Sequence, residues 1–290
     1  MKGLNYCFVI AAIAFFSCTN PRYINSPSAY NASFFREKGD MKFSGSASVN
    51  PSGFNRNFTD AKDDVDNGFG VDGQAAFALT DHFLLQVGGL YRSEWDHFAD
   101  DDIGAANNPA NVSYKRSLFN VGAGYYTRMG QSNNYFNLVL DGAFGKMASV
   151  DESDPTSLRP ARNWDANLFK ISLQPSLNFF FNDVFRMSFA PRFALLKFNN
   201  ITTNYSSEEI QKLGYNKAND KMLPLFEPSL HLQAGPRSAD WLKFDLGFNF
   251  ATNPLVSGGN NVAPVVEGYD LYSRQFLLTF GVSIYPARKK

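Results

Sequence analysis

Few residues of this chain have the type and spacing that catalysis would need. Asp96-His97 and Asp100-Asp101-Asp102 place carboxylates beside a histidine, a pairing that can activate water for hydrolysis. The acidic stretches 60–66 and 96–102 could offer oxygen ligands to Ca²⁺, but neither has the spacing of a calcium loop. The chain has Ser and His but no G-x-S-x-G motif. We therefore predict no catalytic, cofactor or metal site, and interpret the acidic stretches as solvated loops.

The two cysteines point to processing of the N-terminus. Residues 4–16 form an apolar run of about a dozen residues, which suits a signal peptide and is too short to span a bilayer as a helix. The run ends at Cys18 in a sequence that resembles a bacterial lipobox, so we predict cleavage before Cys18 and its lipidation. Ordinary cleavage after Ala12-Ile13-Ala14 is the alternative. Cys7 is removed in either case, which leaves no cysteine pair for a metal or a disulfide.

The composition argues against a nucleic-acid binder and favours a β protein. Lys plus Arg number 27 and Asp plus Glu also number 27, so the basic excess of a phosphate-backbone binder is missing. Phenylalanine contributes 29 residues, yet mean hydropathy is only −0.26. Apolar residues that alternate with polar ones would give this combination.

From residue 40 onward the sequence has a period of two. In the segment 241–250, Leu242, Phe244 and Leu246 lie on one face, and Lys243 and Asp245 lie on the other. Ten such segments begin near residues 41, 69, 82, 114, 134, 166, 184, 223, 241 and 272.

The connections between these segments alternate strictly between short and long. Tight turns at 80–81, 130–133, 182–183 and 235–240 alternate with long polar stretches near 50–67, 94–112, 150–163, 199–221 and 253–271. An up-and-down barrel with both ends on one side needs four tight turns and five long loops. We therefore predict an all-β fold, a transmembrane antiparallel up-and-down β-barrel of about ten strands after a cleaved signal peptide.

The domain prediction follows from these patterns: a lipoprotein signal peptide over 1–17, a tether over 18–39 and the barrel over 40–290. A soluble β-sandwich or lipocalin-like barrel would also alternate. Its strands would be shorter, however, because soluble strands usually run about 5–6 residues, whereas crossing a bilayer takes about 9–11.

The polar faces of the strands define a predicted lumen. Its candidate residues are Lys42, Asp72, Arg92, Asp141, Lys170, Arg186, Arg192, Glu227, His231, Lys243 and Asp245. They could line a selective pore or ligand pocket, or they could pair with each other and fill a narrow barrel. We favour the ion-pair filling, with Arg186 and Arg192 near Glu227 and Asp245, and interpret His231 as a hydrogen-bonded filler.

Two further features concern the membrane boundary and one loop. Aromatic residues near the tight turns or the C-terminus (Phe83, Tyr126, Tyr135, Phe181, Phe185, Trp241, Tyr285) and near the long loops (Tyr91, Trp95, Trp164, Tyr272) suggest interfacial girdles. Residues 206–214 predict a short loop helix that begins at a Ser206–Glu209 capping box and stops at Gly214. It could act as a lid or be simply an ordered loop.

These features together resemble the outer-membrane β-barrel superfamily, in particular barrel lipoproteins of Bacteroidota-type bacteria. The residues that carry the resemblance are Cys18, 38–43, 75–83, 122–126 and the last strand, 276–284. The chain departs from the commonest barrels because residues 286–290 follow that strand, so Tyr285 would have to serve as the terminal aromatic signal.

The resemblance implies an outer-membrane protein anchored through Cys18 on the periplasmic side. Its expected partners are membrane lipid and lipopolysaccharide, with a small solute possible and no nucleic acid. The function we expect is a non-enzymatic small channel or ligand-passage protein. A structural or adhesive barrel that acts through its loops is the alternative. A second alternative is an omptin-like or lipid-modifying barrel enzyme, with Asp96-His97 and 100–102 as its candidate residues.

Overall fold

The computed structural model describes residues 22–30, 32–51, 65–98, 110–153, 160–252 and 271–286. Cys18 and residues 100–102 lie outside this part of the chain. The elements are β1 (Arg22–Asn25), β2 (Met41–Asn50), β3 (Val65–Ala78), β4 (Phe83–Phe98), β5 (Ala110–Arg128), β6 (Asn134–Ser153), β7 (Arg162–Phe180), β8 (Phe185–Thr203), α1 (Ser207–Lys212), α2 (Tyr215–Asp220), β9 (Leu223–Ala234), β10 (Leu242–Phe250), β11 (Leu271–Ser273) and β12 (Phe276–Ile284).

Ten of these strands close into one barrel. Strands β2 to β10 follow each other around it in chain order, and β12 pairs with both β10 and β2 to complete the circle. All neighbours are antiparallel. The predicted up-and-down barrel of ten strands is confirmed. Strands β3, β5 and β7 each begin four residues earlier than predicted, and the last predicted segment divides into β11 and β12.

The four tight turns form where the sequence predicts them. In the turn between β7 and β8, the side-chain oxygen of Asn182 accepts hydrogen bonds from the backbone N–H groups of Val184 and Phe185, at 2.8 and 2.7 Å. In the turn between β5 and β6, Gly130 has a φ of +60°, a conformation that glycine adopts without steric cost. We call this end of the barrel the turn end and the opposite end the loop end.

The two faces of each strand have opposite surroundings. In β9 the side chains of Glu227, His231 and Gln233 are buried inside the barrel, while the intervening Leu230 and Leu232 lie on the outside. Apolar side chains more than half exposed include Phe69, Val71, Phe83, Phe119, Leu140, Phe144, Phe181, Phe193, Phe244 and Phe280. Apolar residues outside and charged residues inside reverse the pattern of a water-soluble barrel and indicate lipid as the outer solvent.

The aromatic girdles are present only in part. Phe83, Phe181 and Trp241 are exposed near the turn end, and Tyr91 and Trp95 are exposed towards the loop end. Tyr126 and Trp164 were expected in these girdles, but both are fully buried inside the barrel. Their positions on the strands give them the inward direction, because successive side chains of a strand point to opposite faces.

The loop between β8 and β9 carries the two helices. The Ser206 side chain accepts from the Glu209 backbone N–H, and the Glu209 side chain accepts in return from the Ser206 N–H, so the predicted capping box is confirmed. Gly214 ends this turn with a φ of +71° and is followed by α2, which was not predicted. Within the described residues, no helix is long and apolar enough to cross a membrane.

The outward face gives a test of the lipid boundary. Phe119 lies at the middle of β5, and we expect Phe119→Arg to lower the free energy of unfolding in lipid vesicles by about 2–4 kcal/mol. Ser113→Arg is the matched control, because Ser113 shares the exposed face of the same strand nearer the loop end and should cost at most about 1 kcal/mol there. Denaturant titration of the folded band on cold gels measures both. Equal losses for the two variants would contradict a lipid-facing band.

Candidate functional site

The lumen of the barrel is occupied by the chain's own N-terminal residues. Residues 22–30 and 32–35, which we call the lumen segment, are largely buried, and they contact the inner faces of most of the barrel strands. Within the range 18–39 predicted as a tether, residues 22–30 and 32–35 therefore lie inside the barrel, whereas residues 36–39 are exposed. The segment's aromatic residues, including Tyr23, Tyr30 and Phe34, fit poorly with a solvated tether and could have signalled burial.

At the turn end, the lumen segment is held by apolar contacts and by hydrogen bonds to its backbone. Phe34 packs edge-on against Phe180, and Phe35 packs against Tyr126. Lys42 donates from Nζ to the carbonyl of Ala32 at 2.5 Å. The segment then leaves the lumen through a turn at Gly39, whose φ is +83°, and enters β2.

The middle of the lumen segment lies against a charged cluster on the barrel wall. Glu227 accepts from Lys170 Nζ at 2.7 and 2.8 Å and from Arg192 at 3.3 Å. The Asn25 side chain donates to the same carboxylate at 3.1 Å, and Lys170 also reaches Ser28 Oγ at 3.3 Å. Lys170 and Glu227 of the wall thus form hydrogen bonds both with each other and with the segment.

At the loop end, a second charged cluster surrounds the start of the lumen segment. Arg274 is fully buried and donates to Asp96 at 2.7 Å, with Glu94 at 3.4 Å and Asp66 at 3.6 Å. Its guanidinium lies over the ring of Tyr23, 4.3 Å from the ring centroid. The paired charges therefore also contact the segment.

Two more arginines complete the loop-end cluster. Arg22 of the lumen segment pairs with Asp151 of β6 at 3.0 Å. Arg116 pairs with Glu94 and also donates to the carbonyl of Tyr23. Buried ion pairs of this kind are costly to break, because removal of one partner leaves an uncompensated charge.

A short strand from the last long loop adds to this arrangement. Strand β11 pairs in parallel with β1, and Ser273 Oγ accepts from the Asn25 side chain at 2.9 Å. The next residue, Arg274, donates its backbone N–H to the Asn25 carbonyl at 2.9 Å. The lumen thus contains two pieces of chain at the loop end, joined by backbone hydrogen bonds.

The helical loop covers the loop end. Tyr205, Leu213 and Tyr215 are buried in a cluster with Trp164 and Tyr23, and the ring of Trp164 stacks on Tyr215 at a centroid distance of 5.1 Å. The loop is therefore a cap, and its Tyr205 donates at 2.9 Å to Asp151, the carboxylate that also pairs with Arg22 of the lumen segment.

An ion pair at its outer side ties this cap to β7. Arg162 donates to both oxygens of Glu209 at 3.1 Å. Burial acts to raise the pKa of Glu209, but its hydrogen bonds with Ser206 and Arg162 outweigh that effect and hold the pKa below its usual value.

A small cavity remains beside the segment at mid-depth. Its volume is about 60 Å³, and Ser28, Asp72, Asp141, Lys170 and Arg192 contribute to its lining. One water needs about 10–15 Å³ by this measure, so the cavity has room for a few water molecules.

All eleven predicted lumen residues have inward positions. Outside the clusters above, Asp72 accepts from Arg92 at 2.7 Å, and Asp141 accepts from Asn120 at 2.8 Å. Lys243 donates to the Asp183 carbonyl at 2.8 Å, and Arg186 lies over the rings of Phe34, Phe180 and Tyr285. Asp245 lies 3.4 Å from His231 and accepts from Gln233 and Ser283. The pairing expected for Arg192 and Glu227 forms, whereas Arg186 packs on aromatic rings.

The loop-end cluster was missed from the sequence. Arg22 was assigned to the tether, and Glu94, Asp96 and Asp151 were assigned to loops, because the strands were predicted too short at this end. Arg274 was placed within the last predicted strand, but it lies between β11 and β12. Arg116 lies in a predicted strand, and the alternation there is a signal that could have placed it inward. The acidic residues Asp66 and Asp96 are buried ion-pair partners, which corrects the interpretation of both as solvated loop residues.

The candidate dyad Asp96-His97 does not form. Asp96 points into the lumen towards Arg274, whereas His97 points to the other face of β4 and lies 2.8 Å from Asn111 Oδ1. Adjacent strand residues cannot act together on one substrate atom in this arrangement. Residues 100–102 lie outside the described residues, and the described part of the chain has no cluster of three or more metal-ligating side chains.

Comparison with known proteins shows a structural likeness without a sequence relative. No protein-family model and no curated protein matches the chain. The translocator domain of the autotransporter NalP from Neisseria meningitidis superposes with a TM-score of 0.51 at 9% identity, over 88% of this chain and 89% of that one. The fold is that of an outer-membrane β-barrel.

Two other solved structures have lower scores. The outer membrane protease OmpT from Escherichia coli has a TM-score of 0.46 at 9% identity, over 89% of this chain and all of that one. An outer membrane channel from Pseudomonas putida F1 has a TM-score of 0.40 at 8% identity, with 89% of this chain and 100% of that one covered.

The central charged cluster of this barrel gives a stability test. We expect Glu227→Gln to lower the free energy of unfolding by about 3–5 kcal/mol, because Lys170 and Arg192 would stay buried without their carboxylate. Asp165→Asn is the matched control, since Asp165 is an exposed carboxylate on β7 and should change stability by less than about 0.5 kcal/mol. A denaturant titration in lipid vesicles measures both. A loss below 1 kcal/mol for Glu227→Gln would contradict the role given to this cluster.

The cap gives a pH test. Because the folded-state pKa of Glu209 is depressed, the ion pair with Arg162 stabilises α1 above the ordinary glutamate pKa of about 4.3 and is lost as pH falls through the folded value. Amide protection in α1, corrected for intrinsic exchange rates, should therefore fall between pH 6 and pH 3. In Glu209→Gln it should be low at both pH values, and an unchanged pH dependence in that variant would contradict the assignment.

Proposed function

We propose that the protein is an outer-membrane channel for small solutes that its own lumen segment holds closed. The observation that carries the proposal is that two separate parts of the chain make up the interior: a barrel wall with a polar, charged inner face, and an extended N-terminal segment that fills the space inside it. A barrel without a passage needs no such segment, since the wall side chains alone can fill a narrow barrel.

The contacts in the middle of the lumen support closure that can be released, while at the loop end the Arg22–Asp151 ion pair would have to break. In the middle of the lumen, the segment is held by hydrogen bonds such as those of Asn25 and Ser28, and the cavity beside them admits water. Polar contacts next to water can be exchanged for contacts with water at small net cost. The wall residues Lys170, Arg192 and Glu227 would remain paired and would line the opened path.

The fit of ten strands to one segment also supports this function. Ten strands spaced about 4.8 Å apart and tilted roughly 40° form a barrel of about 10 Å radius at the backbone. The extended lumen segment takes the central space that the wall side chains leave. Its removal would open a narrow polar path, suited to ions and small polar solutes.

Conductance in planar lipid bilayers tests the proposal. The full chain should conduct close to the baseline, whereas deletion of residues 22–35 should raise the conductance at least tenfold. Heat-modifiable gel mobility establishes that the deletion variant is folded. A folded deletion variant without conductance would overturn the proposal and favour the other candidate, a sealed surface barrel that acts through its loops.

A pair of substitutions tests the same point with the segment in place. Tyr30→Ala combined with Phe34→Ala thins the segment inside the lumen and should produce frequent openings. Phe193→Ala combined with Phe244→Ala is the matched control, because both rings lie on the outer face and their loss leaves the lumen unchanged. If the deletion variant does not fold, closed traces from the lumen pair would overturn the proposal by themselves.

A further inference from the structure

Three carboxylates of the barrel wall lie at one level near the loop end. Asp66 of β3 is opposite Asp96 of β4, and Asp96 is opposite Val112 of β5. Val112 is in turn opposite Asp151 of β6, so the strand register brings the three acidic side chains into one layer. All three are buried inside the barrel. Acidic side chains arranged around a barrel at one level attract cations.

The cations that pair with this layer come from the pieces of chain inside the lumen. Arg22 of the lumen segment pairs with Asp151 at 3.0 Å. Arg274, which follows β11, lies 2.7 Å from Asp96 and 3.6 Å from Asp66. At mid-depth, by contrast, a lysine and an arginine of the wall itself pair with the wall glutamate. The loop-end layer therefore accepts cations that the inserted pieces of chain bring to it.

The surroundings of the Arg22 side chain, which we call the Arg22 pocket, suit a guanidinium group in particular. Asp151 supplies the negative charge, and Phe98 of β4 has its ring centroid 5.1 Å from the guanidinium carbon. The Tyr205 hydroxyl donates to the same oxygen of Asp151 at 2.9 Å, which holds the carboxylate in place. A guanidinium group is planar, donates hydrogen bonds to carboxylates and stacks on aromatic rings, whereas an ammonium group is compact and more strongly hydrated.

We propose that the Arg22 pocket is a binding site for a solute that carries a guanidinium group, and that Arg22 occupies this site while the lumen is closed. The occupant belongs to a strand of only four residues, which pairs with β11 and is not part of the barrel sheet. A solute in the pocket would take over the pairing with Asp151, so Arg22 could leave without a buried charge losing its partner. The site adds to the proposed channel a ligand that favours release of the lumen segment.

The cap controls access to this pocket. Tyr205 lies directly before α1 and is buried in the same cluster as Leu213 and Tyr215 of the cap. Because the Tyr205 hydroxyl donates to Asp151, movement of the cap would both uncover the pocket and remove a hydrogen bond from its carboxylate. A solute that arrives from the loop side would therefore meet the cap first.

Chemical rescue in the full chain tests the inference. Arg22→Ala removes the guanidinium that pairs with Asp151, and ethylguanidinium reproduces the atoms that this substitution deletes. At about 10 mM, ethylguanidinium should bind the pocket and restore at least half of the loss in the midpoint of denaturant unfolding in lipid vesicles. Ethylurea is the matched neutral probe, because it has a similar shape and no charge.

Two proteins control for the position of the probe. Arg22→Ala combined with Asp151→Asn lacks both members of the ion pair and should respond to neither probe. The unaltered chain should not respond at this concentration either, because its own Arg22 is tethered beside the pocket and has a much higher effective concentration.

The expected pattern is rescue of Arg22→Ala by ethylguanidinium alone. Equal responses to the two probes, or no response to either, would overturn the inference. A response of the double variant as large as that of Arg22→Ala would also overturn it, because the probe would then act away from Asp151. If Arg22→Ala does not fold by itself, the yield of heat-modifiable folded protein after refolding with each probe gives the same comparison.

These measurements do not use conductance, so they are decided separately from the proposed channel. A barrel that binds ethylguanidinium in the Arg22 pocket and yet stays sealed without its lumen segment would overturn the channel and leave the site in place. A conducting barrel without rescue would overturn the site and leave the channel in place.

Discussion

A closed barrel in lipid must satisfy the polar groups of its inner face without bulk water, and this constraint determines most of the structure. Closure pairs the backbone of every strand with its neighbours, so the remaining demand comes from the inward side chains. Lys170 and Glu227 are two of these buried charged residues. Each needs a partner at its own depth, because a buried charge without one is far more costly than an exposed charge.

The lumen segment supplies many of these partners. It contributes Arg22 to Asp151 at the loop end, Asn25 to Glu227 in the middle and the Ala32 carbonyl to Lys42 near the turn end. Its aromatic rings fill the space between these polar contacts. The same residues thus complete the interior of the barrel and block its passage, and for this reason stability and closure are coupled in this protein.

The barrel itself could be predicted because lipid enforces a simple rule on each strand. Apolar residues outside alternate with polar residues inside, and Leu242–Phe250 shows that rule in a single segment. The turns and the capping box of Ser206 were also predictable, because their residues act on neighbouring backbone. The abundant phenylalanine is explained by the same rule, since much of it lies on the outer face or among the rings that fill the lumen.

Apart from the Arg192–Glu227 pair, the lumen partners could not be predicted, since they depend on strand register and on contacts between distant parts of the chain. Arg274 and Asp96 are 178 residues apart, and no local pattern connects them. The lumen segment has no period, because an extended chain surrounded by wall on all sides has no outer face to alternate with. Tyr126 and Trp164 were placed wrongly for a different reason. Both are aromatic residues near a strand end, and the prediction relied on that and not on their alternation, which directs both side chains inward.

Photo-crosslinking from position 34 in native membranes tests the central claim most directly, because the Phe34 ring packs on Phe180 and on His231 inside the lumen. With a benzophenone amino acid at position 34, mass spectrometry should find crosslinks within the chain to β7 and β9, while the same amino acid at the outward position 193 should crosslink to lipid. Crosslinks from position 34 to other periplasmic proteins or to lipid, in place of β7 and β9, would contradict a lumen filled by the N-terminal segment.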